Sequence, residues 1–160
     1  MGKPHFRAVE RCIFCENKAD SGEHGWPRWT LTRLGFEGGV YGSVDGIPYA
    51  DLHQRHVKVR CVCEDCNTGW MKGIEDAVIP TVGAMMLDEP RTLDNPQQWL
   101  IAQWVIKTAM VFEHINRTGS IFYADEERIR LRIRVFFRRE RRCGLHAPKE
   151  GTPSTRVVCE

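Results

Sequence analysis

The amino-acid sequence predicts a small α+β protein, and three features of the chain support this class. A valine-rich segment, 56–62, alternates between apolar and polar residues, which is typical of a strand. Two Cys-x-x-Cys pairs stand on either side of that segment and indicate a compact module held by its cysteines. Asn95-Pro96 is typical of a helix cap and first turn. The apolar side chains that follow surround much of a helical circumference, which predicts a long buried helix over 96–115.

Composition places the chain among ordinary globular proteins. Of its 160 residues, 42% are hydrophobic and 28% are charged, which argues against disorder. The best apolar stretch, 99–111, is too short to span a membrane and contains Gln103 and Lys107. The first residues, MGKPHFRAVERC, lack the apolar core of a secretory signal. We therefore expect no membrane segment and a cytoplasmic, reducing environment.

The first half of the chain predicts short elements separated by turns. Pro27 can open a short helix that ends at Gly35. The glycine-rich stretch that follows is punctuated by Asp45-Gly46, a plausible hairpin or loop. The strand 56–62 then runs into the second cysteine pair.

The second half predicts helices and one strand. A short helix over 69–79 should be stopped by Pro80, and the long helix 96–115 follows. Residues 129–137, IRLRIRVFF, alternate strictly enough to predict a strand with one arginine face. Beyond Arg142 the sequence has no periodicity.

These elements divide the chain into three parts. Residues 1–90 form the cysteine-bearing module, and 91–142 form a helical and basic appendage packed on it. Residues 143–160 end in turn-forming residues and are expected to be a poorly ordered tail.

The two cysteine pairs predict a structural zinc site. In a reducing cytosol, paired Cys-x-x-Cys spacings indicate metal ligation rather than disulfides. A tetrahedral Zn²⁺ ion needs four soft ligands, and two such turns each present two thiolates. The predicted ligands are Cys12, Cys15, Cys63 and Cys66. Buried free cysteines are the alternative interpretation. Cys61 is ambiguous because it alternates with Cys63, and no motif includes Cys143 or Cys159.

The order of the motifs resembles one nuclease family. Glu23-His24 lies between the two cysteine pairs, and Asn67 follows the second pair directly. Cys-x-x-Cys, acid-His and Cys-x-x-Cys-Asn together resemble the zinc-bearing HNH (His-Me finger) endonucleases of the recombination endonuclease VII type. The resemblance covers about residues 9–80; residues 99–110 are more loosely similar to a region of short phage and bacterial HNH proteins. It implies a zinc-stabilised ββα-metal (HNH) nuclease fold, here followed by the long helix and a basic strand.

The resemblance also implies a role for each matched residue. His24 matches the general base that activates the attacking water, and Glu23 matches the acid that helps to bind a divalent metal. Asn67 matches the motif asparagine, which is a metal ligand in some members and orients the histidine in others. The implied reaction is single-metal hydrolysis of DNA phosphodiester bonds, with Mg²⁺ or Mn²⁺ as the catalytic ion. The implied setting is DNA processing in a bacterial or phage-infected cell.

One motif position departs from the family pattern. The family usually has a third motif histidine where this chain has Glu75 and Asp76. A carboxylate can replace imidazole as a ligand for Mg²⁺ or Mn²⁺, and Glu75 can share a helical face with Asn67. The alternative is structural, because acids near a helix start suit its dipole and an asparagine there can be a simple cap.

The arginine-rich segment predicts contacts with nucleic acid. Arg130, Arg132 and Arg134 on a strand would line one face at intervals of about 7 Å, which suits phosphate contacts. The alternative is a solvated edge strand that its charge protects from aggregation. On the sequence, the favoured function is a metal-dependent DNA endonuclease. A catalytically inactive zinc-clamped nucleic-acid-binding or inhibitor module is the alternative. A third option is a subunit that packs on a partner or on a second copy through 96–115.

Overall fold

Two antiparallel strand pairs and a series of helices make up the fold. The computed structural model describes residues 9–35, 43–44, 47–48, 58–115 and 121–142, with side chains for 9–35, 58–115 and 121–135. The elements in chain order are β1 (Ser21–His24), α1 (Arg28–Arg33), β2 (Ser43–Val44), β3 (Ile47–Pro48), β4 (Lys58–Val62), α2 (Glu64–Cys66), a π-helical turn (Asn67–Met71), α3 (Lys72–Met85), α4 (Asn95–Phe112) and α5 (Asp125–Arg142). The α+β class is confirmed. The predicted tail 143–160, with Cys143 and Cys159, lies outside the described residues.

The strand predicted at 56–62 is present as β4 over its described part. β4 pairs antiparallel with β1, so that His24 lies opposite Lys58 and Ser21 lies opposite Val62. An irregularity in the register between Ser21 and Gly22 shifts the pairing by one residue. The pair therefore brings the acid-His segment alongside the strand that leads into the second cysteine pair.

The turn predictions of the first half agree with the structure where it describes them. Pro27 immediately precedes α1, and Gly35 follows the helix with a φ of 66°, a left-handed conformation that glycine adopts without strain. β2 and β3 pair antiparallel on either side of the predicted Asp45-Gly46 turn. The two turn residues themselves are not among the described residues.

The helix predicted at 69–79 is wrong at both ends. Helical structure begins at Glu64, because the sulfur of Cys63 accepts the backbone N–H of Cys66 and caps the first turn. It continues past Pro80 to Met85. An interior proline removes its own N–H donor, and its ring crowds the carbonyl four residues earlier, which usually kinks or breaks a helix. Val78 and Ala84 are buried on either side of Pro80, and this burial offsets the cost.

The long helix predicted at 96–115 is confirmed as α4, with a different cap. Asp94, rather than Asn95, accepts the N–H of Gln97, and Gln97 returns a side-chain bond to the N–H of Asp94. Its burial differs from the expectation of an apolar core helix: Lys107 is buried, whereas Val105 is half exposed.

The strand predicted at 129–137 is wrong, because these residues belong to α5. Ala124 lies just before the helix, and its N–H donates to the Glu127 carboxylate at 2.9 Å. The first turn carries three acids, which interact favourably with the positive end of the helix dipole. Inside the helix, Arg128, Leu131 and Val135 recur at helical spacing on the inner face. The alternation of isoleucine and arginine thus coexists with a helical period.

One apolar core joins the cysteine-bearing part to the later helices. Phe14 packs edge-on against Trp70 with ring centroids 4.9 Å apart. The large fully buried apolar side chains of this core come from the first cysteine turn, β4, the helical segment after it, α4 and the turn that follows α4: Phe14, Val59, Val62, Met71, Met110, Val111 and Ile115. Among the described residues, none of the helices is long and apolar enough to cross a bilayer.

Candidate metal centre and neighbouring acid cluster

The first cysteine pair lies in a tight turn that backbone bonds close. The N–H of Cys12 donates to the carbonyl of Asn17 at 2.8 Å, and the N–H of Cys15 donates to the carbonyl of Cys12 at 3.2 Å. The N–H of Ile13 donates to the carbonyl of Cys61 at 2.9 Å and fastens the turn to β4. Both thiols of the pair are therefore held beside the end of that strand.

The second cysteine pair lies where β4 passes into α2. Cys63 is extended and Cys66 is helical, so one turn separates the two thiols. The sulfur of Cys63 accepts the backbone N–H of Cys66 at 3.4 Å and the Asn17 amide at 3.9 Å. These two contacts hold the Cys63 sulfur at the start of α2.

The four predicted ligands lie together. The sulfurs of Cys12, Cys15, Cys63 and Cys66 are all within 4.8 Å of one another. Cys15 Sγ is 3.6 Å from Cys63 Sγ and 3.7 Å from Cys66 Sγ. A disulfide needs about 2.05 Å. A tetrahedral zinc ion with Zn–S bonds of about 2.3 Å separates its sulfurs by about 3.8 Å. The four cysteines therefore fit a zinc ion.

The charges of the thiols also fit a shared cation. A hydrogen bond from the Cys66 thiol is the main cause that lowers the pKa of Cys12 to about 5. Burial raises the pKa of Cys15 to about 11, and the bond to Cys12 together with burial raises the pKa of Cys66. Negative charge on Cys12 also raises the pKa of Cys15 and Cys66, because like charges this close repel. A divalent ion removes that repulsion.

Cys61 does not belong to the group. It is fully buried, and of the described residues only the four named cysteines form a cluster of possible metal ligands. Burial, and then the charge of Glu23, raise the pKa of the Cys61 thiol. Cys61 is therefore a neutral core residue and not a ligand, a point that the sequence alone left ambiguous.

Asn67 does not cap the start of the helix. Its backbone is helical, with φ −64° and ψ −54°, and the capping position of the first turn belongs to Cys63. The Asn67 Nδ2 atom donates to Ser21 Oγ at 2.9 Å, and Ser21 Oγ donates to Glu64 at 2.6 Å. The side chain thus joins the helical segment to β1.

Glu23 and His24 lie at the end of β1 with different exposure. Ser21 and Glu23 are buried on the inner face of the strand, whereas His24 is half-buried. Burial raises the pKa of the Glu23 carboxyl, although the positive charge of Lys107 acts in the opposite direction. The strand face that Asn67 reaches is therefore also the face that carries the Glu23 carboxylate.

Glu75 is brought to Glu23, with a lysine between them. Lys107 Nζ lies 2.6 Å from Glu75 Oε1 and 3.2 Å from Glu23 Oε1, and only 1% of the Lys107 side chain is exposed. Asp76 points elsewhere and forms an exposed pair with Lys72 at 2.6 Å. Glu75 and Asp76 stand at the position of the missing motif histidine, and of these two acids only Glu75 joins the cluster with Glu23 and Lys107.

Sequence reasoning missed Lys107 as a site residue. The available signal was one lysine within the apolar stretch 99–111, since a lysine is almost never fully buried without a partner. That pattern predicts a buried ion pair but does not indicate which acidic residue is the partner.

The four arginines of α5 whose side chains the structure describes, Arg128, Arg130, Arg132 and Arg134, do not form one face. Arg128 is buried and binds Glu113 at 2.5 Å, His114 at 3.1 Å and the carbonyl of Tyr123 at 2.9 Å. Arg130 and Arg134 are exposed one helical turn apart. Arg132 is half-buried and lines a cavity of about 780 Å³ between α3, α4 and α5. The predicted three-arginine surface is therefore wrong in its geometry.

Comparison of the chain with protein-family models, with curated proteins and with solved structures finds no match in any of the three. The functional interpretation therefore depends on the site itself.

Proposed function

We propose that the chain is a metal-dependent DNA endonuclease of the HNH type, stabilised by a zinc ion on its four clustered cysteines. In this proposal His24 is the general base, and Glu23 and Asn67 bind a Mg²⁺ or Mn²⁺ ion. The order of β1, β4 and the helical segment after Cys66 supports the proposal, because it is the order that the ββα-metal fold requires.

The link between Asn67 and β1 is the observation that carries this proposal. An asparagine that only began a helix would accept a backbone N–H. Asn67 instead donates to Ser21, which lies on the same strand face as Glu23. This bond brings the motif asparagine to the strand that carries the motif acid, although 44 positions separate Glu23 from Asn67 in the chain.

The residues suit the chemistry of phosphodiester hydrolysis. A bound Mg²⁺ or Mn²⁺ ion would supply positive charge for the phosphate and the leaving 3′ oxygen. The Glu23 carboxylate and the Asn67 amide oxygen are the hard ligands that such ions prefer. An imidazole such as that of His24 can accept the proton of the attacking water near neutral pH.

The proposal is tested by nicking of supercoiled plasmid DNA by the purified chain with Mg²⁺, with Mn²⁺ and with a chelator. His24→Ala should lower the rate by about 10²–10⁴-fold, since a general base typically contributes that much. Zinc content should not change, because His24 is not a ligand of the cysteine site. Lys58→Ala is the matched control, because Lys58 lies opposite His24 on β4. Equal rates for His24→Ala and the wild type would refute the assigned base.

A catalytically inactive zinc-clamped nucleic-acid-binding or inhibitor module is the second candidate function. Lys107 favours it, because a lysine already neutralises the acids that would otherwise bind a divalent ion. This candidate predicts DNA or protein binding without metal-dependent nicking. The exposed Arg130 and Arg134 are the proposed phosphate contacts in both candidates, and fluorescence anisotropy at several salt concentrations measures their part.

Self-association through α4 also stays a proposal. The helix exposes Trp99, Val105 and Ile106, and Trp26 and Phe122 are exposed as well. Val105, Trp26 and Phe122 line one apolar cavity, so part of the surface is continuous. Sedimentation equilibrium of the purified chain measures whether two copies associate.

A further inference from the structure

Lys107 has no role in the proposed reaction, although it contacts the proposed metal ligand Glu23 as well as Glu75. Its ammonium group is buried between β1, α3 and α4 and lies within hydrogen-bonding distance of Glu23 and Glu75. Two carboxylates and one ammonium meet there, so the cluster holds one more negative than positive charge when all three groups are ionised.

The distances pair Glu75, rather than Glu23, most closely with Lys107. Lys107 Nζ is 2.6 Å from Glu75 and 3.2 Å from Glu23, so Glu75 makes the shorter bond. A Mg²⁺ ion binds carboxylate oxygens at about 2.0–2.1 Å and demands nearly ideal octahedral geometry. An ion on Glu75 would compete with the ammonium group for this carboxylate, and the two cations would repel each other.

We propose that Lys107 determines the ligand set of the divalent ion, by holding Glu75 as its own counter-ion and leaving Glu23 as the acidic ligand. The inference rests on the proposed nuclease function for the identity of the ion. It reassigns Glu75, which stands at the place of the missing motif histidine, from metal ligand to partner of Lys107. Removal of the ammonium group then releases Glu75 to a metal and creates a site with two carboxylates.

The experiment measures Mn²⁺ binding by the zinc-loaded full chain, through the electron paramagnetic resonance signal of free Mn²⁺. If the wild type binds Mn²⁺, Glu23→Gln should weaken binding on the order of tenfold or more, because a charged ligand is lost. Glu75→Gln should weaken binding less than Glu23→Gln does, because it removes no ligand and only leaves Lys107 with Glu23 as its remaining counter-ion. Lys107→Met should bind Mn²⁺ more tightly than the wild type, and Lys107→Met with Glu75→Gln should lose that gain. Lys107→Arg keeps the charge and is the matched control.

The outcomes separate this inference from the proposed function. If the wild type binds no Mn²⁺ but Lys107→Met does, the proposed catalytic ion is wrong and the role of Lys107 stands. If Glu75→Gln weakens binding as much as Glu23→Gln, or if Lys107→Met gains nothing, the inference is overturned. Zinc content and the thermal melt establish that each variant is folded. Lys107→Gln, which can still form hydrogen bonds, replaces Lys107→Met if the latter does not fold.

Discussion

Two consecutive hydrogen bonds tie the helical segment that begins at Glu64 to β1. Asn67 donates to Ser21 at 2.9 Å, and the Ser21 hydroxyl donates to Glu64 at 2.6 Å. The direction of both hydrogen bonds is fixed, because the Asn67 NH₂ group can only donate and the Glu64 carboxylate can only accept. An aspartate at position 67 has the same shape but lacks the donor.

Asn67→Asp should therefore destabilise the fold by about 1 kcal/mol, the usual value of one such bond. Repulsion between the new carboxylate and Glu64 adds to this loss. Urea unfolding at neutral pH measures the free energy of unfolding. Asn95→Asp is the matched control, because Asn95 is exposed in the first turn of α4, where a negative charge suits the helix dipole. Equal stability of the two variants would mean that the bond to Ser21 contributes nothing.

At the residue scale, ligand chemistry was predictable and electrostatic partners were not. The spacing of the cysteines alone selected Cys63 over Cys61, and the four sulfurs do lie together. A Cys-x-x-Cys turn fixes its two sulfurs locally, so spacing is informative. Lys107 is 84 positions from Glu23 and 32 from Glu75, and their meeting depends on how α4 packs. No local pattern carries that information.

At the element scale, α4 was predictable because a helix start is a local signal. Asn95-Pro96 placed its first turn to within one residue of the observed cap, Asp94. α5 was mistaken for a strand because isoleucine and arginine alternate in IRLRIRVFF. The acids that open the segment and the absence of glycine or proline over 125–142 favour a helix instead. Alternation over a few residues does not exclude helical spacing over a longer window.

The end of β1 packs so closely on the end of α4 that only glycine fits. A Cβ atom at Gly25 would lie 1.6 Å from Ile115 Cδ1 and 3.1 Å from Ile115 Cγ1. Gly25→Ala should therefore cost about 1–3 kcal/mol, which is usual for overpacking. Thermal unfolding measures this cost. Gly22→Ala, inside β1 and three residues before Gly25, is the matched control, because its nearest neighbour would be Lys58 Cδ at an ordinary 3.6 Å.

Ile115→Val tests whether that clash is the cause. Valine lacks the Cδ1 atom, and alone it should cost about 0.5–1.5 kcal/mol. The double variant should be more stable than the sum of the single losses predicts, because the added methyl group fills the space of the removed one. Additive losses would mean that Gly25→Ala acts through another contact.

At the scale of the whole molecule, the cysteine cluster and the core form one structure. The turn of Cys12 and Cys15, β4 and α2 meet at the four sulfurs, and Phe14 between the first two cysteines packs against Trp70. The same core reaches Val111 and Ile115 of the later part. The sequence could predict the cysteine group from spacing, but it could not predict that α4 completes the core beneath it.

This shared core predicts how far the loss of metal spreads. We expect one zinc ion per chain, and its removal by a strong chelator should unfold the cysteine turns and lower the protection of α4 in hydrogen exchange, because metal binding contributes directly to folding. Cys12→Ser should lose zinc and lower the protection of α4 in the same way. Cys61→Ser is the matched control, since Cys61 is equally buried but lies outside the cluster, and it should keep its zinc. Elemental analysis and hydrogen exchange measure both effects. A folded preparation with less than about half an equivalent of zinc would contradict the site, whereas retained protection of α4 after chelation would show that the helices fold without it.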